Sequence, residues 1–272
     1  MKPPDDAAPR RRILLVVHDS PEGADAAAIA GHLARLLSAS VTMLSLTHSF
    51  DRRIRAYQRA DEAMGEVPAR ERLSAVGLIE WELPRIANAG KYDLVVLARL
   101  GGLDALTGRL LVPLTVRHIH TNVLLVRGKR RTIQNVLACT AGSGASDPVD
   151  AAIDLAQRGG ARLHVLHVLS HMPLESEGPL EIGQLLELEH PAAQALANAE
   201  RALRARGVQG GVRTRVGLVV EEIVQEVHDG GYDLVVVGSH ESTRGGRLTL
   251  DVADYVIGHV PSSVLVVRAW AP

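Results

Sequence analysis

The sequence predicts an α/β protein made of two doubly wound units in tandem, each a parallel sheet with helices on both faces. Short apolar runs rich in branched residues, such as "ILLVV" from Ile13, alternate with alanine- and leucine-rich segments of helical spacing. Such alternation implies parallel strands joined by right-handed crossovers. The pentapeptide Tyr-Asp-Leu-Val-Val occurs from Tyr92 and again from Tyr232, an offset of 140 residues, and a glycine pair follows each copy. "NVLLVR" from Asn122 is answered by "SVLVVR" from Ser263 at an offset of 141. Two matches at nearly one offset mark a duplicated unit of small-domain size, and 272 residues accommodate two of them.

In the first unit, "RRILLVV" (Arg11 to Val17) reads as a strand buried on both faces, and "GADAAAIAGHLARLL" as a helix after a Ser-Pro start. "ASVTMLSLTH" is a second strand, the polar stretch from Asp51 to Arg72 a helix, and Ser74 to Ile79 a weak third strand. A helix from Glu80 to Ala89, the strand "YDLVVLA", a helix from Leu111 to His120 and the strand "NVLLVRG" complete the unit. The charged "RGKRRT" (Arg127 to Thr132) reads as an exposed linker, which divides the chain into residues 1–130 and 131–272.

The second unit repeats the order. "TIQNVLACT" is a strand, "DPVDAAIDLAQRGG" a helix capped by Asp147 and stopped at Gly159, and "ARLHVLHVL" a strand. "EIGQLLELE" and "AQALANAERALRARG" form one helical region interrupted near Pro191. "GVRTRVGL", "VEEIVQEVHDGG", "YDLVVVG", a helix from Arg247 to His259 and "SSVLVVRA" close the unit. Unpaired, the two last strands would leave apolar open edges, so they are expected to pair with each other inside one chain. The expected result is a pseudo-two-fold pair of five-stranded layers rather than one continuous sheet. A homodimer is a further assembly the strands allow.

Composition narrows the function. A formal charge of −1 and 3% aromatic residues point away from nucleic acid and from an anionic membrane. A single cysteine, Cys139, excludes an internal disulfide and fits a reducing compartment, and no apolar run approaches membrane-spanning length. A cytoplasmic location is expected. Of the 12 histidines, His164, His167 and His171 lie close in sequence, but residues 164 and 167 of a strand face opposite ways, and no zinc spacing occurs. His18-Asp19 reads as a solvated loop, and Cys139 as a small core residue. No nucleophile elbow, Walker loop or His-Glu-x-x-His helix is present, so no catalytic residue is assigned.

In doubly wound sheets ligands sit beyond the carboxyl ends of the strands, where strand order reverses. The loops suited to that place in the second unit are "AGSGASD" (Ala141 to Asp147) and "GSHESTRGG" (Gly238 to Gly246). With the strand "YDLVVVGSH" and the terminal "SSVLVVR" after "GHVP", these loops make each unit resemble a universal stress protein domain, and the whole chain the tandem form of that family. The first unit resembles it through "ILLVVHDSPEG", "YDLVVLARLGG" and "NVLLVRG". The resemblance implies two flavodoxin/Rossmann-like domains with strand order 3-2-1-4-5.

Nucleotide-binding members of that family carry an aspartate ending the first strand and a Gly-x2-Gly-x9-Gly-Ser/Thr signature after the fourth. Glycines there let backbone N–H groups close on phosphate at a helix N-terminus. In the second unit Gly238 keeps the first glycine, but Glu241 replaces the second, Leu250-Asp251 replaces the closing Gly-Ser, and Ala141 replaces the aspartate, although Gly142 and Ser143 match. Arg244 and Arg247 flank the glycine pair and could hold an anion. In the first unit Ala98 replaces the first glycine, His18 the aspartate, and the closing pair is missing around Val112-Pro113.

The resemblance therefore implies ATP or another adenine nucleotide, with magnesium, in the second unit, or no small ligand at all. The implied residues are Gly142, Ser143, Gly238, Ser239, His240, Gly245 and Gly246, with Val168 at a position whose backbone contacts adenine. No metal site in the protein itself is expected. The resulting reading is a non-enzymatic stress-response binding or regulatory module. Its rivals are a nucleotide switch or weak hydrolase holding magnesium on Asp251 or Glu241, and a pure interaction protein.

Overall fold

The computed structural model describes residues 11–98, 113, 115–128, 131–141, 148–169, 181–183, 192–239, 252–268 and 270. The first half runs β1 (Arg12–Val17), α1 (Pro21–Leu37), β2 (Ser40–Ser45), α2 (Phe50–Met64), β3 (Ala69–Ser74), α3 (Ile79–Ala89), β4 (Leu94–Ala98) and β5 (Asn122–Val126). Residues 115–117, just before β5, are helical. The second half runs β6 (Asn135–Cys139), α4 (Pro148–Gly159), β7 (Arg162–Leu169), α5 (Ala193–Ala205), β8 (Gly210–Val216), α6 (Val219–Gly230), β9 (Leu234–Gly238), α7 (Val252–His259) and β10 (Ser263–Val267). Within each half all pairs are parallel, and both halves have the expected 3-2-1-4-5 order.

The halves are joined along their last strands as expected, but the result is one ten-stranded sheet and not two separate layers. Its order is β3-β2-β1-β4-β5-β10-β9-β6-β7-β8. β5 and β10 pair antiparallel, with Leu125 opposite Val264, Leu124 opposite Leu265 and Val123 opposite Val266. Edge-to-edge pairing satisfies the backbone groups of both edges, and the hydrogen-bond ladder then continues through the junction. Both cores continue with it. On one face α1 and α2 share a buried cluster with α4 and α5, from Ile13 and Leu33 to Ile153 and Leu203. On the other, Leu83 and Val116 belong to the cluster that contains Ile223 and Ile257.

The junction carries a reciprocal lock. Arg127, just after β5, donates through Nη1 and Nη2 to the Val260 and Ile257 carbonyls at the end of α7. Its pseudo-equivalent Arg268, just after β10, donates through Nη2 to the Val116 carbonyl at 2.9 Å. Each guanidinium thus serves the carbonyl end of the other half's helix, where a cation is electrostatically favoured. The Arg127 N–H donates to Ser263 Oγ at 3.1 Å, and the Arg268 N–H to Asn122 Oδ1 at 2.9 Å. Arg117 adds an ion pair to Asp254. On the opposite face buried Asp154 accepts from Arg11 Nη2 at 3.3 Å and from Trp270 Nε1 at 3.2 Å. Arg127, expected in an exposed linker, is therefore a half-buried junction residue, while Arg131 and Thr132 are exposed.

Other departures have local causes. The helix expected to reach Arg72 ends at Met64, where Gly65 takes φ 65°. The third strand then precedes Ser74 instead of following it. Arg70, Glu71 and Arg72 are exposed on that strand, and an edge strand guarded by charge has no apolar run to announce it. α4 runs through Gly159, and Gly160 takes the left-handed φ of 63°. The Asp147 cap lies outside the described residues, as do residues 184–191 around Pro191.

The repeated tyrosine explains a repeated glycine. A Cβ on Gly90 would stand 2.1 Å from the Tyr92 ring, and one on Gly230 would stand 2.2 Å from the Tyr232 ring. Both rings are buried against the ends of the helices before β4 and β9.

Removing either junction arginine should weaken the whole protein, because the cores are shared. Arg127→Met and Arg268→Met should each cost about 1.5–3 kcal/mol, the range for hydrogen bonds to a charged group. Urea unfolding should show one cooperative transition with a lower midpoint in each variant. An unchanged midpoint would remove the lock from the account.

Candidate functional site

The crevice expected from the topology opens between β6 and β9 in the second half and between β1 and β4 in the first. β6 and β9 are paired from Val136 opposite Leu234 to Ala138 opposite Val236, and beyond that β9 pairs only with β10, through Val237 and Gly238. β1 and β4 part in the same way after Leu15 opposite Val96. Parting at the carboxyl ends leaves room at the point where strand order reverses.

Backbone directions follow from the ladder, since successive residues of a strand point their N–H and C=O groups to opposite sides. The Leu166 carbonyl accepts from the Thr140 N–H on the β6 side, whereas the Leu169 carbonyl accepts from the Gly217 N–H on the β8 side. Val168 therefore aims its backbone groups toward β6, past Cys139, the last residue of β6 paired with β7. Ser239 N–H donates to the Val267 carbonyl at 3.0 Å, so Gly238 aims the other way, toward β6 from the opposite side. Val168 and Gly238 thus flank the end of β6, with Ser239 beside them. Val168 is 8% exposed and Gly238 and Ser239 are half-buried. Gly142, Ser143, His240, Gly245 and Gly246 lie outside the described residues, as do Glu241, Arg244, Arg247 and Asp251.

The first-half crevice differs at its mouth. Leu46 corresponds to Val168 and Ala98 to Gly238, so a Cβ stands where the second half has none. Asp19 is not simply solvated: its Oδ2 accepts from Arg55 Nε at 2.7 Å, and Arg59 Nη2 lies 3.3 Å from its Oδ1. Arg55 holds its carboxyl below the usual range. His18 itself is exposed. The N-terminus of α1 is also occupied, since Ser20 Oγ accepts from the Gly23 N–H at 3.1 Å. Gly23 is forced there, as a Cβ would stand 2.3 Å from the His18 carbonyl oxygen. Glu22 adds an acidic side chain to the first turn, its carboxyl held down by its own backbone N–H and by Ser20. A side-chain oxygen and a carboxylate thus stand where a bound anion would seek donors.

Cys139 ends β6 half-buried, and burial pushes its thiol up to about 12, which keeps it protonated and unreactive at neutral pH. His167 is buried, with Nδ1 2.9 Å from the Thr140 carbonyl, while His164 faces the other side of the sheet toward Tyr232. Among the described residues no group of three or more His, Cys, Asp and Glu side chains could hold a metal. Nor is any helix long and apolar enough to cross a membrane among them.

With this geometry in place the comparisons are specific. The sequence model of the Universal stress protein family matches residues 132–268, a little over half of the chain. The chain belongs to the universal stress protein family. A universal stress protein from Archaeoglobus fulgidus DSM 4304 has the same fold at 14% identity and TM-score 0.63, covering 96% of this chain and 100% of its own. A putative universal stress protein from Pseudomonas aeruginosa UCBPP-PA14 does so at 17% identity and TM-score 0.66, covering 96% and 94%. A universal stress protein solved in complex with cAMP matches 51% of this chain and 99% of its own at 27% identity and TM-score 0.40. No curated protein matches.

Sequence reasoning missed a charged network that this universal stress protein carries beneath α6. Buried Glu226 accepts from Arg213 Nη1 at 2.7 Å, Arg215 Nε at 2.8 Å and Tyr232 Oη at 2.8 Å. Arg215 also reaches Glu222 at 3.1 Å and Asp229 at 2.8 Å, and His164 Nδ1 lies 3.3 Å from Tyr232 Oη. The available signal was periodicity: Arg213 and Arg215 share one face of a strand, and Glu222, Glu226 and Asp229 share one face of a helix. The first half has Ile86 where Glu226 stands, so the network belongs to the second half alone.

Burial pushes the Glu226 carboxyl up, but hydrogen bonds from Arg215, Tyr232 and Arg213 outweigh it and leave the carboxyl below its usual 4.5. Its contribution to stability is present above 4.5 and is lost as pH falls through the folded value. Burial and then Arg213 lower His164 below its usual 6.5, so the unfolded chain gains protons first as pH drops below 6.5. Both groups have one sign. Burial also lowers His32 below 6.5, so stability should fall steadily on acidification from neutral pH, with His164→Gln reducing the upper part of the slope and Glu226→Gln the lower part. Urea midpoints measured across pH should show it, and a pH-independent midpoint in the parent protein would contradict it.

Proposed function

We infer that this chain is a tandem universal stress protein acting in the cytoplasm as a non-enzymatic stress-response binding or regulatory module, with at most one adenine-nucleotide site per chain. The division into residues 1–130 and 131–272 follows the fifth strand of each repeat, and each unit is one copy of the domain. The observation that carries the single-site reading is the asymmetry of the two crevices. In the second half the backbone of Val168 and Gly238 is aimed at the space past β6. In the first, Ala98 and the Asp19–Arg55–Arg59 ion pair occupy the corresponding rim.

A base laid beside Val168 would meet one backbone donor and one acceptor, the pair an adenine edge can use. Gly142, Ser143, Ser239, His240, Gly245 and Gly246 would then surround the phosphates, with Gly238 admitting close backbone approach. Glu241 and Asp251 oppose a triphosphate unless magnesium stands between, since two like charges about 4 Å apart repel by roughly 4 kcal/mol at an effective dielectric of 20. Affinity is weak for that reason. The role proposed is recognition.

Calorimetric titration with ATP, AMP and cAMP, each with and without magnesium, tests this reading. It predicts no more than one equivalent per chain, and any binding reduced at least tenfold by Gly238→Val, which blocks the approach. Two equivalents per chain, or release of phosphate from ATP above the buffer rate, would overturn it.

A further inference from the structure

Large apolar side chains left in water are concentrated at one end of the first half. Among the described residues six are exposed, and five of them are Phe50, Ile54, Val76, Leu78 and Trp81, ranging from 38% exposed at Ile54 to 73% at Trp81. The sixth, Leu218, is in the second half. Apolar residues exposed singly are ordinary, but a cluster marks a contact surface.

Topology gathers the five. β2 and β3 are paired up to Ser45 opposite Ser74, and the Ala75 N–H donates to the Ser45 carbonyl at 3.0 Å. Both strands therefore deliver their following segments side by side at the carboxyl end of the sheet. α2 starts from one of these segments and runs back over β3, where Tyr57 Oη donates to the Leu73 carbonyl. Ile54 is one turn before Tyr57 on the same side of the helix, so it stands over the residues that follow Leu73, with Phe50 one turn further out. Val76 and Leu78 belong to that following segment. Trp81, whose N–H donates to the Leu78 carbonyl at 3.1 Å, is in the first turn of α3.

The turn before α3 is common to both repeats, but the aromatic is not. Gly77 and Gly217 take φ of 152° and 150°, and a Cβ on them would stand 2.8 Å from Glu82 and 2.7 Å from Glu222. Leu78 and Leu218 follow, equally exposed. Trp81 is answered by Glu221, and exposed Val76 by half-buried Val216. A carboxylate suits that place to water in the second half, whereas the first half presents a side chain enriched at the centres of interfaces.

Charge around the patch has two signs, on two sides. On the α2 side stand Arg52, Arg53, Arg55 and Arg59 against Asp51 and Asp19, and Asp19 is shared by Arg55 and Arg59. On the α3 side stand Glu80 and Glu82, the second paired with Arg85 at 2.6 Å. Along β3 the charges balance more closely, with Arg72 2.8 Å from Asp61 and Glu71 next to Arg70. A partner of one sign would match only one side of such a rim. A second copy of the chain, turned about a two-fold axis through the patch, matches both, because α2 of each copy then meets α3 of the other.

We propose that this end of the first half is a dimerisation surface, with Leu78 and Trp81 of two chains packed at its centre and the α2 arginines of each facing Glu80 of the other. The surface is separate from the nucleotide crevice of the second half. Its apolar area is on the order of 500 Å2 per copy, and a standard interface needs about 800 Å2, so the charged rim supplies the remainder. The dimer is therefore reversible.

Sedimentation velocity on the full chain at low salt, from about 1 μM to about 500 μM, tests this. The parent should pass from monomer to dimer with a dissociation constant of about 1–100 μM. Trp81→Glu should weaken association about tenfold or more and leave the urea midpoint unchanged, since the side chain lies outside both cores. Arg52→Glu with Arg53→Glu in one chain, and Glu80→Arg in another, should each weaken self-association, and an equimolar mixture of the two chains should regain it, because each rim then meets its opposite. A parent that stays monomeric throughout, association untouched by Trp81→Glu, or a mixture no better than its components would overturn the proposal.

Discussion

The antiparallel pairing of β5 with β10 is the constraint on which everything else in this protein rests. It converts two small sheets, each with an apolar edge, into one sheet whose outer strands are β3 and β8. The new edges differ from the ones removed, since β3 carries Arg70, Glu71 and Arg72, and β8 carries Arg213 and Arg215 bound to acidic residues of α6. Charged edges resist further strand addition. The exchange of Arg127 and Arg268 across the junction fixes the helix ends on either side, and the two cores then have no boundary at which the halves could separate cleanly.

Once joined, the repeats are free to diverge, because neither has to preserve an interface with a separate partner. At its crevice the first half carries an ion pair from Asp19 to α2, and Ser20 caps the start of α1. The second half leaves backbone groups aimed past β6 and holds α6 down with Glu226. A fixed backbone plan thus carries locally different side chains in its two halves.

Much of this was legible in the sequence. Strands buried on both faces, such as β1 and β4, announce themselves by unbroken apolar runs; the matches at Tyr92 and Tyr232 pointed to two halves of one layout, and those at Asn122 and Ser263 to the strands that pair. β3 was misplaced because its signal is charge rather than hydrophobicity. The single continuous sheet was missed because periodicity within a strand says nothing about whether two paired edges belong to one layer or two. The paired "VR" ends were visible as text, but their reach to the opposite helix depends on tertiary geometry. At the candidate site the structure sets Val168, Gly238 and Ser239 around the end of β6, and it is their backbone directions that place them there. The Glu226 network joins residues far apart in sequence, and only folding brings Arg213 and Tyr232 to one carboxylate.

The most direct measurement is isotope-filtered NOE spectroscopy on a mixture of labelled and unlabelled chains. Paired strands inside one molecule should give cross-strand contacts between Leu124 and Leu265 in uniformly labelled protein, unchanged on dilution, and none between differently labelled chains. Contacts seen only between chains, or none between these strands at all, would contradict the central claim.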